Sequence, residues 1–158
     1  MYEHLHDHRH WVLPEVLETQ ARQRGDQTFL TVIGEGSLTY AAAAREARQV
    51  AAHCAELGVA AGDPVAVLLP NGLDFVRLWL GLGRLGAIIV PINTGMAGDF
   101  LAHQLRDSGA RVVVSAGPAS EAVADILDEV DGLQVLDLDG WQHAPEHDGP
   151  LPAAADTA

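Results

Sequence analysis

The chain has no lysine: all nine of its basic residues are arginine. That absence removes three chemistries together, namely the phosphate-gripping lysine of a P-loop, a Schiff-base lysine and the lysine of a receiver domain. Cysteine is nearly missing as well, with one residue in 158, so no internal disulfide can form and a reducing, cytoplasmic compartment is expected. Positive charge is scarce, 9 basic residues against 22 acidic ones, for a formal net charge of -13. Binding a nucleic-acid backbone needs a basic stripe that releases counterions, so the balance argues against nucleic acid and, likewise, against anionic membrane surfaces. Aromatics make up only 5%, which leaves aliphatic packing to build the core. No apolar run reaches the roughly 18 residues of a membrane span without Arg, Asp or several Gly in it. The polar opening MYEHLHDHRH does not read as a secretory signal.

What is present is organised around Asn71 to Asn93, NGLDFVRLWLGLGRLGAIIVPIN. Phe75, Leu78, Trp79, Leu82 and Leu85 recur at helical spacing, and Leu73, Val76 and Leu80 fill the other side, which predicts a buried helix. Asn71 is the expected N-cap, with Asp74 suited to the positive end of the helix dipole. Gly86 is expected to stop the helix, and Ala87 to Ile92 reads as a strand covered on both faces, broken by Pro91. The GLGRLG within this stretch fits the dinucleotide fingerprint in letters but in the wrong order. A fingerprint follows a strand and opens a helix, so that free amides meet the phosphates, whereas these glycines precede the strand. Gly81, Gly83 and Gly86 therefore read as aids to close helix packing and a clean stop.

Around that centre the chain reads in alternating units. Leu13 to Gly25 predicts a helix with Val16, Leu17 and Ala21 on one face; Thr28 to Ile33 and Ser37 to Tyr40 predict a hairpin about Gly34-Glu35-Gly36. Thr39 is the expected cap of a long helix ending near Leu57, with Ala43, Ala47, Val50, Cys54 and Leu57 packed and Arg45, Glu46, Arg48 and Gln49 facing water. Strands follow at Val65 to Leu69, Arg111 to Ser115 and Leu133 to Leu138, separated by helices at Asp99 to Asp107 and Pro118 to Val130. Strands joined through helices imply an α/β fold, a mainly parallel sheet with helices on its faces. Residues 1–12 are expected to be a mobile His-rich terminus, residues 13–140 the folded part, and residues 141–158, with no periodicity, a loop or disordered tail.

Candidate chemistry fails site by site. His4, His6, His8 and His10 alternate and can bind a transition metal weakly, but no second cluster supports them. Ser115-Ala116-Gly117 follows a strand as a hydrolase elbow does, yet Val113 stands where that elbow needs glycine. His103, Asp107 and Ser108 sit on one helix, whereas a triad converges from separate elements. Asp137-Leu138-Asp139-Gly140 begins like a calcium loop without its later ligands. Cys54 lies in an apolar stripe with no base beside it and reads as core. No catalytic, cofactor-binding or metal-binding residue is assigned.

The ordered series of segments nonetheless resembles a family. Leu38-Thr39-Tyr40, then Gly62-Asp63 with Val65 to Asn71, then Leu85-Gly86-Ala87 through Val90-Pro91-Ile92-Asn93, then Asp107 to Val112 resemble the N-terminal part of the large domain in adenylate-forming, AMP-binding enzymes. The resemblance runs from about Leu13 to Val114; VPINT followed by GDFLAHQL looks most like ligases of the carnitine/crotonobetaine-CoA type. It implies a parent activity of acyl-CoA synthetases: ATP- and Mg2+-dependent adenylation of a carboxylic acid, then transfer to coenzyme A. There are departures. Ala42 and Ala43 stand where members commonly carry Glu-Leu, which loses half of a capping box. The family's Ser/Thr/Gly-rich phosphate loop ending in Pro-Lys-Gly has no match here. The expectation is thus an N-terminal portion that is inactive alone, its missing remainder a partner; the alternative is a stand-alone binding module that keeps the scaffold.

Overall fold

Helical and strand periods alternate along the sequence, and in a computed structural model that describes residues 12–153 they assemble into four layers. In chain order these are α1 (Leu13–Arg24), β1 (Thr28–Val32), β2 (Gly36–Thr39), α2 (Tyr40–Glu56), β3 (Pro64–Leu68), α3 (Leu73–Leu85), β4 (Ile88–Pro91), α4 (Gly98–Ser108), β5 (Val112–Ser115), α5 (Pro118–Asp125) and β6 (Gln134–Val135). β3, β4, β5 and β6 form one parallel sheet in the order β4-β3-β5-β6, and β1 pairs antiparallel with β2. The expected α/β architecture is what the chain adopts.

β3 is the keel of the sheet because its alternating side chains serve two cores. Val65, Val67 and Leu69 pack with Leu78 and Leu82 of α3 and Val50 and Cys54 of α2. Ala66 and Leu68 pack with Leu101 and Leu105 of α4 and Val123 of α5 on the opposite face. A third cluster joins Leu17 of α1, Leu38 of the hairpin and the outer sides of α2 and α3. Burial on both faces is what a continuous apolar strand sequence demands.

The two central helices meet at Gly81. A Cβ built there would stand 2.7 Å from Val50 Cβ, so only glycine lets α3 lie this close to α2. Gly86 ends α3 in the left-handed region at φ 81°, and its N–H donates to Gly83 O, as a glycine stop should. Gly83 has no such crowding; its nearest neighbour would be Pro14 Cγ at 3.8 Å.

Several local expectations are corrected. Asn71 does not cap α3: Gly72 holds the N-cap position, and Leu73 N donates instead to Glu35 Oε2 of the hairpin turn at 2.8 Å. A carboxylate brought from another element satisfies the amide and meets the positive helix end with a full charge, which Asn71 cannot do. β4 is not covered on both faces but is the edge strand, with Ile88 and Pro91 exposed. Leu57 is exposed because α2 stops one residue before it and Gly58 turns the chain away. The helix expected to reach Val130 ends at Asp125, where Ile126 leaves helical geometry to bury itself and Leu127–Glu129 tightens into a 3-10 turn. β6 is two residues long, because Asp139 N bonds back to Asp137 Oδ1 and curls the chain off the sheet. Thr39 caps α2 as expected, accepting from Ala42 N at 3.1 Å.

The Gly81 seat makes opposite forecasts for two neighbouring glycines. Gly81→Ala is expected to lose about 1–3 kcal/mol of stability through overpacking, although alanine is the better helix former. Gly83→Ala is expected to be neutral or to gain up to about 1 kcal/mol. Urea unfolding of the two variants checks this, and a stabilised Gly81→Ala would contradict the packing.

Candidate cleft at the carboxyl end of the sheet

Crossovers diverge between β3 and β5: α3 leaves β3 on one face toward β4, and α4 returns to β5 on the other. Such a switch point opens a crevice outside the carboxyl ends of the strands, the usual ligand position in open α/β sheets. A cleft of about 420 Å3 lies there, floored by Leu69, Leu78, Val114 and Leu136 and walled by Trp141. Its rim carries Asp74, Asp137 and Asp139 against one cation, Arg77.

Arg77 is already engaged. Its Nε donates to Glu46 Oε2 at 2.8 Å and its Nη1 to Asp74 Oδ1 at 2.9 Å, while the guanidinium lies 5.4 Å from the centre of the Trp141 ring. Burial works to lower its pKa, but the hydrogen bonds it donates to Glu46 and Asp74 outweigh that and hold it above the ordinary arginine value. The group is a permanent cation whose charge is met from both sides. It serves as a structural tie between α2, α3 and the segment that follows β6.

Residues 141–158 read from sequence as a loop or disordered tail; the described part of them, residues 141–153, is irregular and tied to the helices. Trp141 is buried in the α2–α3 core. Arg84 Nη2 donates to His147 O at 3.1 Å and to Gly149 O at 2.9 Å, and Arg48 pairs with both Glu18 and Glu146. Glu46, Arg48 and Gln49 therefore do not simply face water; Gln49 Nε2 donates to Gln142 O. Sequence reasoning missed these ties. The signal in α3 was Arg77 and Arg84, seven residues apart and so on one face of a helix whose remaining charge is Asp74 alone.

The residues singled out from sequence are not brought together. His103 and Asp107 are exposed on α4, across the sheet from the cleft, and Ser108 Oγ donates to Leu105 O of its own helix. Ser115 reaches the cleft, but its Oγ lies 3.2 Å from Ser120 Oγ, and among the described residues no histidine lines the cleft. Asp137 spends one carboxylate oxygen on the Asp139 amide. Among the described residues no group of three or more His, Cys, Asp or Glu is placed to hold a metal ion. His4, His6, His8 and His10 lie outside the described residues. No helix of the described residues is long and apolar enough to cross a membrane.

Residues 17–156 match the family described as AMP-binding enzyme. The chain belongs to that family. It is 38% identical over 105 residues to the long-chain-fatty-acid–CoA ligase FadD13 of Mycobacterium tuberculosis, an alignment that covers 66% of this chain and 21% of that protein. It superimposes on a Mycobacterium tuberculosis fatty acyl CoA synthetase with a TM-score of 0.76 at 28% identity, over 87% of this chain and 29% of the other. A long-chain-fatty-acid–CoA ligase from Archaeoglobus fulgidus shares the fold with a TM-score of 0.77 at 22% identity, over 90% of this chain and 32% of the other. The chain thus spans about a fifth of the length of the curated relatives it matches.

The groups this family's resemblance brings with it, ATP and Mg2+, do not fit the residues described. After β3 the chain runs Leu69-Pro70-Asn71-Gly72, and after β5 it runs Ala116-Gly117-Pro118, each with a proline that removes an amide donor where a phosphate loop needs one. The cleft rim is acidic and its arginine is neutralised, so a triphosphate would meet net repulsion there. No step through either group is derived from these residues.

Cys54 is the one thiol, fully buried, and burial pushes its pKa from 9.0 up to about 12. A thiol raised in this way stabilises the fold fully below about pH 9, and loses that contribution as pH rises toward 12, because the unfolded chain gives up its proton first. Iodoacetamide labelling near pH 8 is expected to be at least about 100-fold slower in the native than in the urea-unfolded chain. The urea midpoint is expected to fall above about pH 9 more steeply than in Cys54→Ala. Rapid native labelling would place the thiol at the surface and refute the packing.

Proposed function

We propose that this chain is the N-terminal portion of an ATP-dependent acyl-CoA ligase, the platform on which carboxylate adenylation and thioester formation are mounted, and that it is inactive alone. The observation that carries this reading is the family match over residues 17–156 in a chain that spans 21% of its ligase relative. The cleft supports the second half: it sits where an α/β sheet holds ligands, but its groups cannot grip a polyphosphate. Such chemistry draws its rate from positioning and from cations around the transferring group, and ATP, Mg2+ and coenzyme A are assigned to the whole ligase.

For the acyl group two classes stand side by side. The VPINT and GDFLAHQL segments resemble ligases of carnitine-type acids, and the names of the relatives point to long-chain fatty acids.

The test is ATP–pyrophosphate exchange by the purified chain with a betaine-type acid and with a long-chain acid in parallel. The expected outcome is no exchange above background with either. Acid-dependent exchange by the chain alone would overturn the assignment.

A further inference from the structure

Away from the cleft, a groove of about 220 Å3 is lined by one stripe of α1, Leu17, Gln20 and Arg24 at helical spacing, together with Phe29 of β1, Tyr40 at the start of α2 and Leu80 of α3. Its lining is mostly apolar, but three polar groups in it are left over. Gln20 is only 8% exposed, yet its carboxamide has no hydrogen-bond partner among the described residues. A polar side chain buried to that degree normally spends its donors and acceptor within the fold. Its polar atoms are not sealed in as Arg84 Nε is, and the open space that they keep is this groove. The Arg24 guanidinium lies 5.8 Å from the centre of the Tyr40 ring, and among the described residues it forms no ion pair and the Tyr40 hydroxyl has no partner. No described acidic residue lines the groove, whereas Asp74, Asp137 and Asp139 ring the cleft.

We propose that this groove binds a small apolar monocarboxylate, its carboxylate held by Arg24 and Gln20 and its hydrocarbon lying on Leu17, Phe29 and Leu80. The site does not depend on the ligase reading. Two helix ends meet near it with opposite effects: the last turn of α1, which holds Arg24, is a negative pole, and α2 brings its positive pole at Tyr40. The first amides of α2 are already spent on Gln27 O, Gly25 O and Thr39 Oγ1, so they bind nothing further. With the poles offsetting each other, the full charge of the unpaired guanidinium decides the sign of the ligand. Its planar fork matches the two oxygens of a carboxylate, and resting over the Tyr40 ring fixes it without using its donors. The groove of about 220 Å3 is smaller than the roughly 300–1,000 Å3 pockets that take drug-sized ligands. A short acid fits that size, and a long acyl chain or a peptide does not. Leu13 and Val16 also line the groove and are 38% and 41% exposed, which leaves a way in.

The test titrates hexanoate into the intact, isotope-labelled chain and follows the Gln20 side-chain amide and the Arg24 Nε–H by NMR. Both signals are expected to shift saturably, while Leu136 and Trp141 of the cleft stay still. Arg24→Gln is expected to weaken binding about tenfold or more, and hexanol and hexylammonium to bind at least about tenfold more weakly than hexanoate. Val16→Glu, a change at an exposed position that sets an acid beside the groove, is expected to weaken hexanoate in the same way. Gln20→Leu is expected to weaken binding with no fall in the urea midpoint, since no bond within the fold is lost. A fall in that midpoint would show the carboxamide already spent on the fold and overturns the proposal. Unchanged affinity in Arg24→Gln, equal binding of hexanol, shifts confined to the cleft, or a titration that never saturates overturns it as well. If the Gln20 and Arg24 signals move with protein concentration alone, the groove is an interface between copies of the chain and the proposal fails.

Discussion

The close seat of Gly81 against Val50 is the contact on which the other layers depend. With α3 drawn onto α2, Leu78 and Leu82 reach the face of β3, while Leu73 and Leu80 reach the hairpin side. The same proximity lets Arg77 of α3 meet Glu46 of α2 and lets Trp141 lie over that pair. Moving the helices apart by one methyl loosens the packing of Leu78 and Leu82 on β3. A core built from aliphatic side chains at near-crystalline density has few other ways to compensate.

With lysine absent, arginine supplies the long-range ties, and it does so through geometry that an ammonium could not reproduce. Arg48 bridges Glu18 of α1 and Glu146, Arg77 bridges Glu46 and Asp74, and Arg84 clasps two backbone carbonyls. Arg84 is the costly one: it is 8% exposed, and among the described residues its Nε has no acceptor. Its place in the last turn of α3 sets it near the negative end of the helix dipole, which offsets part of that burial. The result is an irregular segment held against the helical face by fixed forks, while the acidic surplus is left on the outside.

How much of this was legible depended on periodicity. The largely buried helix, with Trp79 alone of its expected stripe left exposed at 41%, the glycine stop at Gly86, the Thr39 cap and the parallel sheet were readable because each is written in local spacing. The out-of-order GLGRLG was readable as packing for the same reason, since a phosphate loop has a fixed place between strand and helix. The Glu35 cap on α3 was not, because the partner lies 38 residues away in sequence and Asn71 sat in the obvious position. The docking of residues 141–151 was harder to read: apart from Glu146, its acceptors are the backbone carbonyls of Gln142, His147 and Gly149, of which composition says nothing. The site was legible chiefly as a lack. Arg77 could have been noticed as an interruption of an apolar face, but its neutralisation by two carboxylates could only be seen in three dimensions.

The central claim is that these residues form a self-consistent α/β platform keyed by α2, α3 and β3, whatever is mounted on it. Native-state hydrogen exchange on the chain by itself tests this most directly. The account predicts that the slowest amides form one cooperative set in those three elements, with the hairpin and the segment after β6 opening at lower free energy. Uniformly fast exchange, or a slowest set located in the hairpin, would contradict it.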